Sequence, residues 1–178
     1  MATYTTNGGI KKISTGDESG TWGTSTNTNF DIIDRLATGV GDITLSGTTH
    51  TLTTSDGSAS DGQFHVLKLG GSPSGTNTVT IAPNDVKRMY IVQNASGESA
   101  VMKQGSGGGA SVTIANGKSA IVSTDGGGAG AIVTDLTSLF TSTTTLSDLS
   151  VTASASELNK MSGVTASTAD INVLSGTT

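Results

Sequence analysis

A mainly β fold that continues into a fibrous tail is what this sequence predicts. The expected parts are an N-terminal arm with one short helix (residues 1–40), an antiparallel β-sandwich or barrel (41–136), and a neck with shaft-forming repeats that make short helical turns (137–178). Three observations carry this. Short alternating apolar segments recur between turn-forming residues from Asp42 to Val122. Apolar residues other than glycine make up 33% and aromatics 3%, while glycine alone supplies 25 residues. That composition suits many short strands with tight turns better than one large core. The third observation is that the end of the chain repeats itself.

Val151-Thr-Ala-Ser-Ala-Ser-Glu-Leu-Asn-Lys-Met-Ser-Gly163 is followed at once by Val164-Thr-Ala-Ser-Thr-Ala-Asp-Ile-Asn-Val-Leu-Ser-Gly176. Glu157 corresponds to Asp170, Leu158 to Ile171 and Met161 to Leu174. Tandem identity of this kind gives an elongated object whose units touch only their neighbours. Ser154-x-x-Glu157 has the spacing of a capping box, and Ser167-x-x-Asp170 is its weaker copy. Gly163 and Gly176 can stop the short helices so begun. Each unit shows one apolar spot, built from Val151, Leu158 and Met161 and then from Val164, Ile171 and Leu174. A unit cannot bury that spot alone, so it stacks on other copies or on parallel chains.

Residues 1–26 are polar and punctuated by Gly8-Gly9, Gly16, Gly20 and Gly23, which reads as an extended arm. Ile10, Ile13, Trp22 and Phe30 are its scattered anchors. Trp22 either packs on its own domain or plugs into a neighbouring protein, as tryptophan favours interface anchor positions. Phe30–Ala37 is the expected helix. Phe30, Ile33 and Ala37 share a face with Ile32 and Leu36 beside it, Thr26, Asn27 or Thr28 caps the start, and Gly39 follows the end. Strands are expected at 42–45, 50–53, 63–69, 78–81, 88–93 and 99–103, with Phe64, Val66 and Leu69 inside the third. Val112–Val122 reads as a β-hairpin about Asn116-Gly117, the strongest short-range hairpin signal. On that reading Asn116 is critical and Asn94 merely opens a looser loop. Gly126-Gly-Gly128 and residues 137–145 look like linker or neck.

Composition excludes several classes. There is no cysteine, so no disulfide framework is expected. The net charge of −5 disfavours nucleic acid as a partner, because phosphate contacts need clustered Lys and Arg. No apolar run approaches the ~18 residues of a membrane helix, and Met1-Ala-Thr-Tyr-Thr-Thr does not open like a signal peptide. Gly117-Lys-Ser119 lacks the earlier glycine of a phosphate-binding loop, since that position is Val112. His50, Asp56, Asp61 and His65 are metal-ligand residue types, but their spacing fits no compact site. No catalytic residue, cofactor or metal site is expected. Asp31 and Asp34 read as a solvated helix face.

The repeat pattern resembles the VTASxxELNxLxG repeats of tail-fibre and related virion proteins of tailed bacteriophages, notably marine ones. Gly16-Asp-Glu-Ser-Gly-Thr-Trp-Gly23, Asn27–Asp34, Ser46–Gly57 and Gly70–Asn77 are similar to the opening parts of such proteins, so the resemblance spans nearly the whole chain. It implies a homotrimeric structural protein of the virion. Its shaft would be held together at Val151, Leu158, Met161, Val164, Ile171 and Leu174. Its N-terminal part would attach to tail, baseplate or capsid proteins, here through Ile10, Ile13, Trp22 and Phe30. Host recognition in such proteins usually resides in a C-terminal tip, which is not expected within these 178 residues. Two other readings stay open: a capsid-attached head fibre or decoration protein, and a non-phage adhesin or an ice- or polysaccharide-binding module. Thr51-Leu-Thr53 and Thr78-Val-Thr80 motivate the last, although the tripeptide does not recur at one regular period through 42–122. A glycan-cleaving tailspike would need a carboxylate pair that the sequence does not offer.

Overall fold

The protein is described here from a computed structural model covering residues 2–140, 148, 150, 152–160 and 162. It divides into two compact units, Met1–Phe140 and Thr141–Thr178. The first unit is mainly β. A two-stranded antiparallel ribbon, β1 (Thr3–Tyr4) with β2 (Lys11–Lys12), precedes helix α1 (Trp22–Ala37). Nine strands follow in two sheets: β3 (Val40–Leu45), β4 (Thr49–Thr53), β5 (Val66–Gly71), β6 (Asn77–Ala82), β7 (Lys87–Asn94), β8 (Ala100–Gln104), β9 (Val112–Ile114), β10 (Ser119–Asp125) and β11 (Val133–Asp135). One sheet has the order β11-β10-β7-β5-β3 and the other β4-β6-β8-β9.

The pairing is not the antiparallel one that the turn signals suggested. β3, β5 and β7 lie parallel, and so do β4, β6 and β8. Successive strands therefore alternate between sheets, and the chain winds as three flattened coils: β3–β4, β5–β6 and β7–β8. A parallel pair cannot be joined by a tight hairpin and needs a crossover. Here the crossover is a strand of the opposite sheet. Only the last part is antiparallel, with β9 on β8, β10 on β7 and β11 on β10. At the opposite end of the stack β3 and β4 are the edge strands.

Each strand buries every second residue, because one face of each sheet meets the other sheet. Ile43, Leu45, Leu67, Leu69, Tyr90, Val92, Ala120 and Val122 from one side pack on Leu52, Val79, Ile81, Ala100, Met102 and Ile114 from the other. The third expected strand is shifted and reversed in phase. Asp61–Gln63 forms a 3-10 turn, β5 starts at Val66, and Leu67 and Leu69 rather than Val66 point inward. Phe64 is half-buried against the core.

Asn116-Gly117 does not join a hairpin. β9 and β10 belong to different sheets, so this turn carries the chain from one sheet to the other. The Lys118 N–H donates to the Ala115 carbonyl at 3.1 Å, and Gly117 has a φ of 74° while Asn116 does not take a positive φ. One left-handed residue at the second central position is the pattern of a type II turn, not the type I′ turn of hairpins.

The turns are held from inside by buried amides. Asn94 is 2% exposed. Its Nδ2 donates to the carbonyls of Glu98 and Ile114, both at 2.8 Å, and its Oδ1 accepts from the Ser96 hydroxyl at 2.8 Å. Its backbone N–H donates to the Lys118 carbonyl at 2.9 Å. Gln104 donates to the Val86 carbonyl and accepts from the Gly126 N–H. Asn77 donates to the carbonyls of Ser46 and Gly47.

These contacts reverse the importance of the two asparagines. Asn116 is exposed and its side chain accepts one bond, from the Gly97 N–H. Asn94→Pro removes the N–H and the whole buried set, and should cost about 3 kcal/mol or more. Asn116→Pro loses that one side-chain bond and should cost about 1 kcal/mol. Thermal melts of the two variants check this, and equal melting temperatures would contradict the turn assignment.

Candidate functional site

The arm does not hang free. Gln63, fully buried, donates through Nε2 to the Gly8 carbonyl at 3.0 Å and to the carbonyls of Ser55 and Ser58, while its Oε1 accepts from the Ser60 N–H. The Arg88 guanidinium donates to the carbonyls of Gly62 and Asn7, and the Lys87 N–H donates to Asn7 Oδ1. One loop and the start of β7 thus grip residues 7–9.

Helix α1 begins at Trp22, well before the expected Phe30. Gly23–Asn29 is rich in residues of poor helix propensity, which is why the sequence reads as coil there. Tertiary contacts override this. Glu18, at a φ of 66°, turns the chain into the helix, and its carbonyl accepts the N–H groups of Thr21 (3.0 Å) and Trp22 (2.8 Å). Its carboxylate accepts from the hydroxyls of Thr21 (2.8 Å) and Ser25 (2.6 Å) and pairs with the Lys11 ammonium. A carboxylate also suits the positive end of the helix dipole. The Lys11 contact, then the Ser25 and Thr21 hydroxyls, lower the Glu18 pKa to about 2. Farther along, Asn29 clamps the backbone of Lys11, accepting its N–H and donating to its carbonyl, both at 2.9 Å.

The inner face of α1 is Ile32, fully buried, with Leu36 half-buried beside it. At the helix end the Arg35 guanidinium lies 4.5 Å from the centre of the Phe64 ring, a cation–π contact. Gly41 makes this possible, because a Cβ there would stand 2.3 Å from that ring. The face that carries Phe30, Ile33 and Ala37 is therefore the outer one. Trp22 is 60% exposed, Phe30 62% and Ile33 45%. At helical spacing these three residues and Ala37 form one apolar stripe. Trp22 is thus left mostly uncovered by its own domain.

Of the expected attachment residues, Trp22 and Phe30 share this stripe, while Ile10 and Ile13 lie half-buried in the arm. Ile33 belongs with the exposed pair. Asp31 and Asp34 are exposed, as a solvated edge requires. In the second unit, α3 (Ala155–Lys160) starts with the expected capping box. The Ser154 N–H donates to Glu157 Oε2 at 2.7 Å, and the Glu157 N–H donates to the Ser154 hydroxyl at 3.2 Å. Leu158 is 37% exposed. The other five expected shaft-interface residues, Val151, Met161, Val164, Ile171 and Leu174, lie outside the described residues, as does the second copy of the box. Among the described residues no three metal-ligating side chains gather into a site, and His50, Asp56, Asp61 and His65 do not come together as one.

The Glu18 contacts make a pH test. The folded pKa, about 2, lies below the unsupported value of 4.5. The carboxylate thus contributes stability above pH 4.5 that is lost as pH falls through 2. Trp22, the chain's only tryptophan, reports on it. Its emission should hold steady from pH 7 to 4 and shift near pH 2. Glu18→Gln should show the shifted spectrum already at pH 7, and an unaltered spectrum in that variant would refute the role. Comparison with protein families, with characterised proteins and with solved structures finds no match to this chain.

Proposed function

We propose that this chain is a structural fibre protein of a tailed-bacteriophage virion, a parallel homotrimer that attaches to the particle through the outer face of α1. The β unit acts as a spacer and the repeats as the start of a shaft. Its work is mechanical and adhesive rather than catalytic. One observation carries the attachment reading: Trp22, Phe30 and Ile33 stand exposed on a helix that is fixed elsewhere by Glu18, Asn29 and the buried Ile32. A rigid support that presents large apolar side chains is what an interface anchor needs. Burying each of them stabilises a complex by about 1.5–3 kcal/mol, and three copies acting together multiply the effect. Tail, baseplate and capsid are all compatible partners, so a head fibre remains within this reading.

The test is Trp22→Ser with Phe30→Ser in the full chain. Both side chains are exposed, so folding stability should change little, by about 0.5 kcal/mol or less for each site, as thermal melts would show. Attachment to particles that lack the protein should be lost. Undiminished attachment would move the anchor to the β unit or to the repeats.

A second reading rests on the outer face of the four-stranded sheet. Thr49 stands beside Thr78 and Thr51 beside Thr80 on parallel neighbours, with Thr53 continuing the edge strand. The two Thr-x-Thr tripeptides are thus in register on two neighbouring strands, while the third coil places Val101 beside Thr78 and Lys103 beside Thr80. A flat array of hydroxyl and methyl groups suits an ordered surface such as ice or a polysaccharide. Thr51→Tyr with Thr80→Tyr should abolish retention on such a surface if this face is adhesive. Full retention would end that reading.

A further inference from the structure

The outer face of the five-stranded sheet departs from the polar-out pattern expected of a solvated sheet face. Residues that alternate with the buried core point away from it. The register places Val40 beside Val66, Val66 beside Ile91, and Ile91 beside Ile121. The Leu136 N–H donates to the Ile121 carbonyl at 2.8 Å, which adds a fifth aliphatic residue to the row. At about 4.8 Å per strand the row spans about 19 Å and crosses the whole sheet. Val40 is 49% exposed and the other four are half-buried. Met89, 39% exposed, stands next to the row on β7. Apart from Met89 and Gly70, the outward strand residues to either side are polar, and their charges are matched in register, Asp42 beside Lys68 and Lys87 beside Asp125. An apolar centre with a polar, internally neutral rim is the make-up of a protein–protein interface.

We infer that this row is the surface on which the β units of sister copies of the chain pack against one another. The inference rests on the trimeric reading above and deepens it. Two features favour another copy as the occupant. The row ends at Leu136, immediately before helix α2 (Thr137–Phe140), where Leu139 and Phe140 are 74% and 63% exposed. The repeat section, whose apolar spots call for other copies or parallel chains, follows directly in sequence. The matched charge pairs, moreover, leave no net charge on the face, so identical copies do not repel.

A chain without cysteine allows a clean footprint. Met89→Cys and, separately, Thr51→Cys on the opposite sheet are made in the full-length protein and alkylated with a maleimide, with mass followed by light scattering. The expected result is a trimer in which the cysteine at 89 reacts about tenfold more slowly than the one at 51. Adding Ile121→Lys, or the milder Ile91→Gln, should bring the two rates together, with circular dichroism showing that the sheets remain folded. A trimer in which both cysteines react equally fast overturns this inference and leaves the shaft-based trimer standing. A monomer at micromolar concentration overturns both.

Discussion

Parallel winding is the constraint on which this structure depends. Once β5 lies parallel to β3, the chain must leave the sheet, cross to the other layer and come back, and it must do so at every coil. Each crossing brings backbone N–H and carbonyl groups to the rim of the core, where unpaired groups cost about 1–3 kcal/mol each. The chain meets this with amide side chains rather than regular hydrogen-bond ladders. Asn77, Asn94 and Gln104 are buried, and each reaches turn carbonyls from the end of a strand. An amide both donates and accepts, so one residue can satisfy opposite ends of a turn. Aliphatic replacements would fill the same space and leave those carbonyls orphaned.

The same device joins the arm to the coils. Gln63 sits where β4 hands over to β5 and bonds both its own loop and Gly8 of the arm. Arg88 reinforces it from the start of β7, with its charge spread over two carbonyls. The helix is thereby seated at two levels, by Gln63 and Arg88 through the arm and by Glu18 and Asn29 through its own first half. With so many fixed points on one side, the opposite side is free to carry apolar residues that contribute nothing to the fold itself.

Local structure was largely legible in the sequence, and long-range pairing was not. Most strand positions followed from alternation and turn chemistry, and the Ser154–Glu157 capping box followed from spacing alone, because both depend on neighbours in sequence. The parallel arrangement could not be read this way. Alternation reports that one face is buried but is silent on the direction of the neighbouring strand, and Asn116-Gly117 serves a sheet-to-sheet turn as well as a hairpin. Helix α1 was half legible. Ile32 and Leu36 gave a helical period, but Gly23–Asn29 is helical because Glu18 holds its start and Lys11, eighteen residues before Asn29, is clamped by its end. Which side of the helix faces inward was not legible, because Phe30 and Ile33 on one side and Ile32 and Leu36 on the other are equally apolar.

The order of strands also bears on how the protein is made. Synthesis delivers β3 and β4 first and β11 last. The long parallel edges at one end of the stack thus exist from the first completed coil, whereas the other end gains its short antiparallel closure only once residues 112–135 have emerged. Until then a nascent chain carries open edges at both ends, which are templates for pairing with another chain. A ribosome that stalls within this region releases a species whose β7 and β8 edges are uncovered, whereas in the finished unit the edges at that end are the three-residue strands β9 and β11.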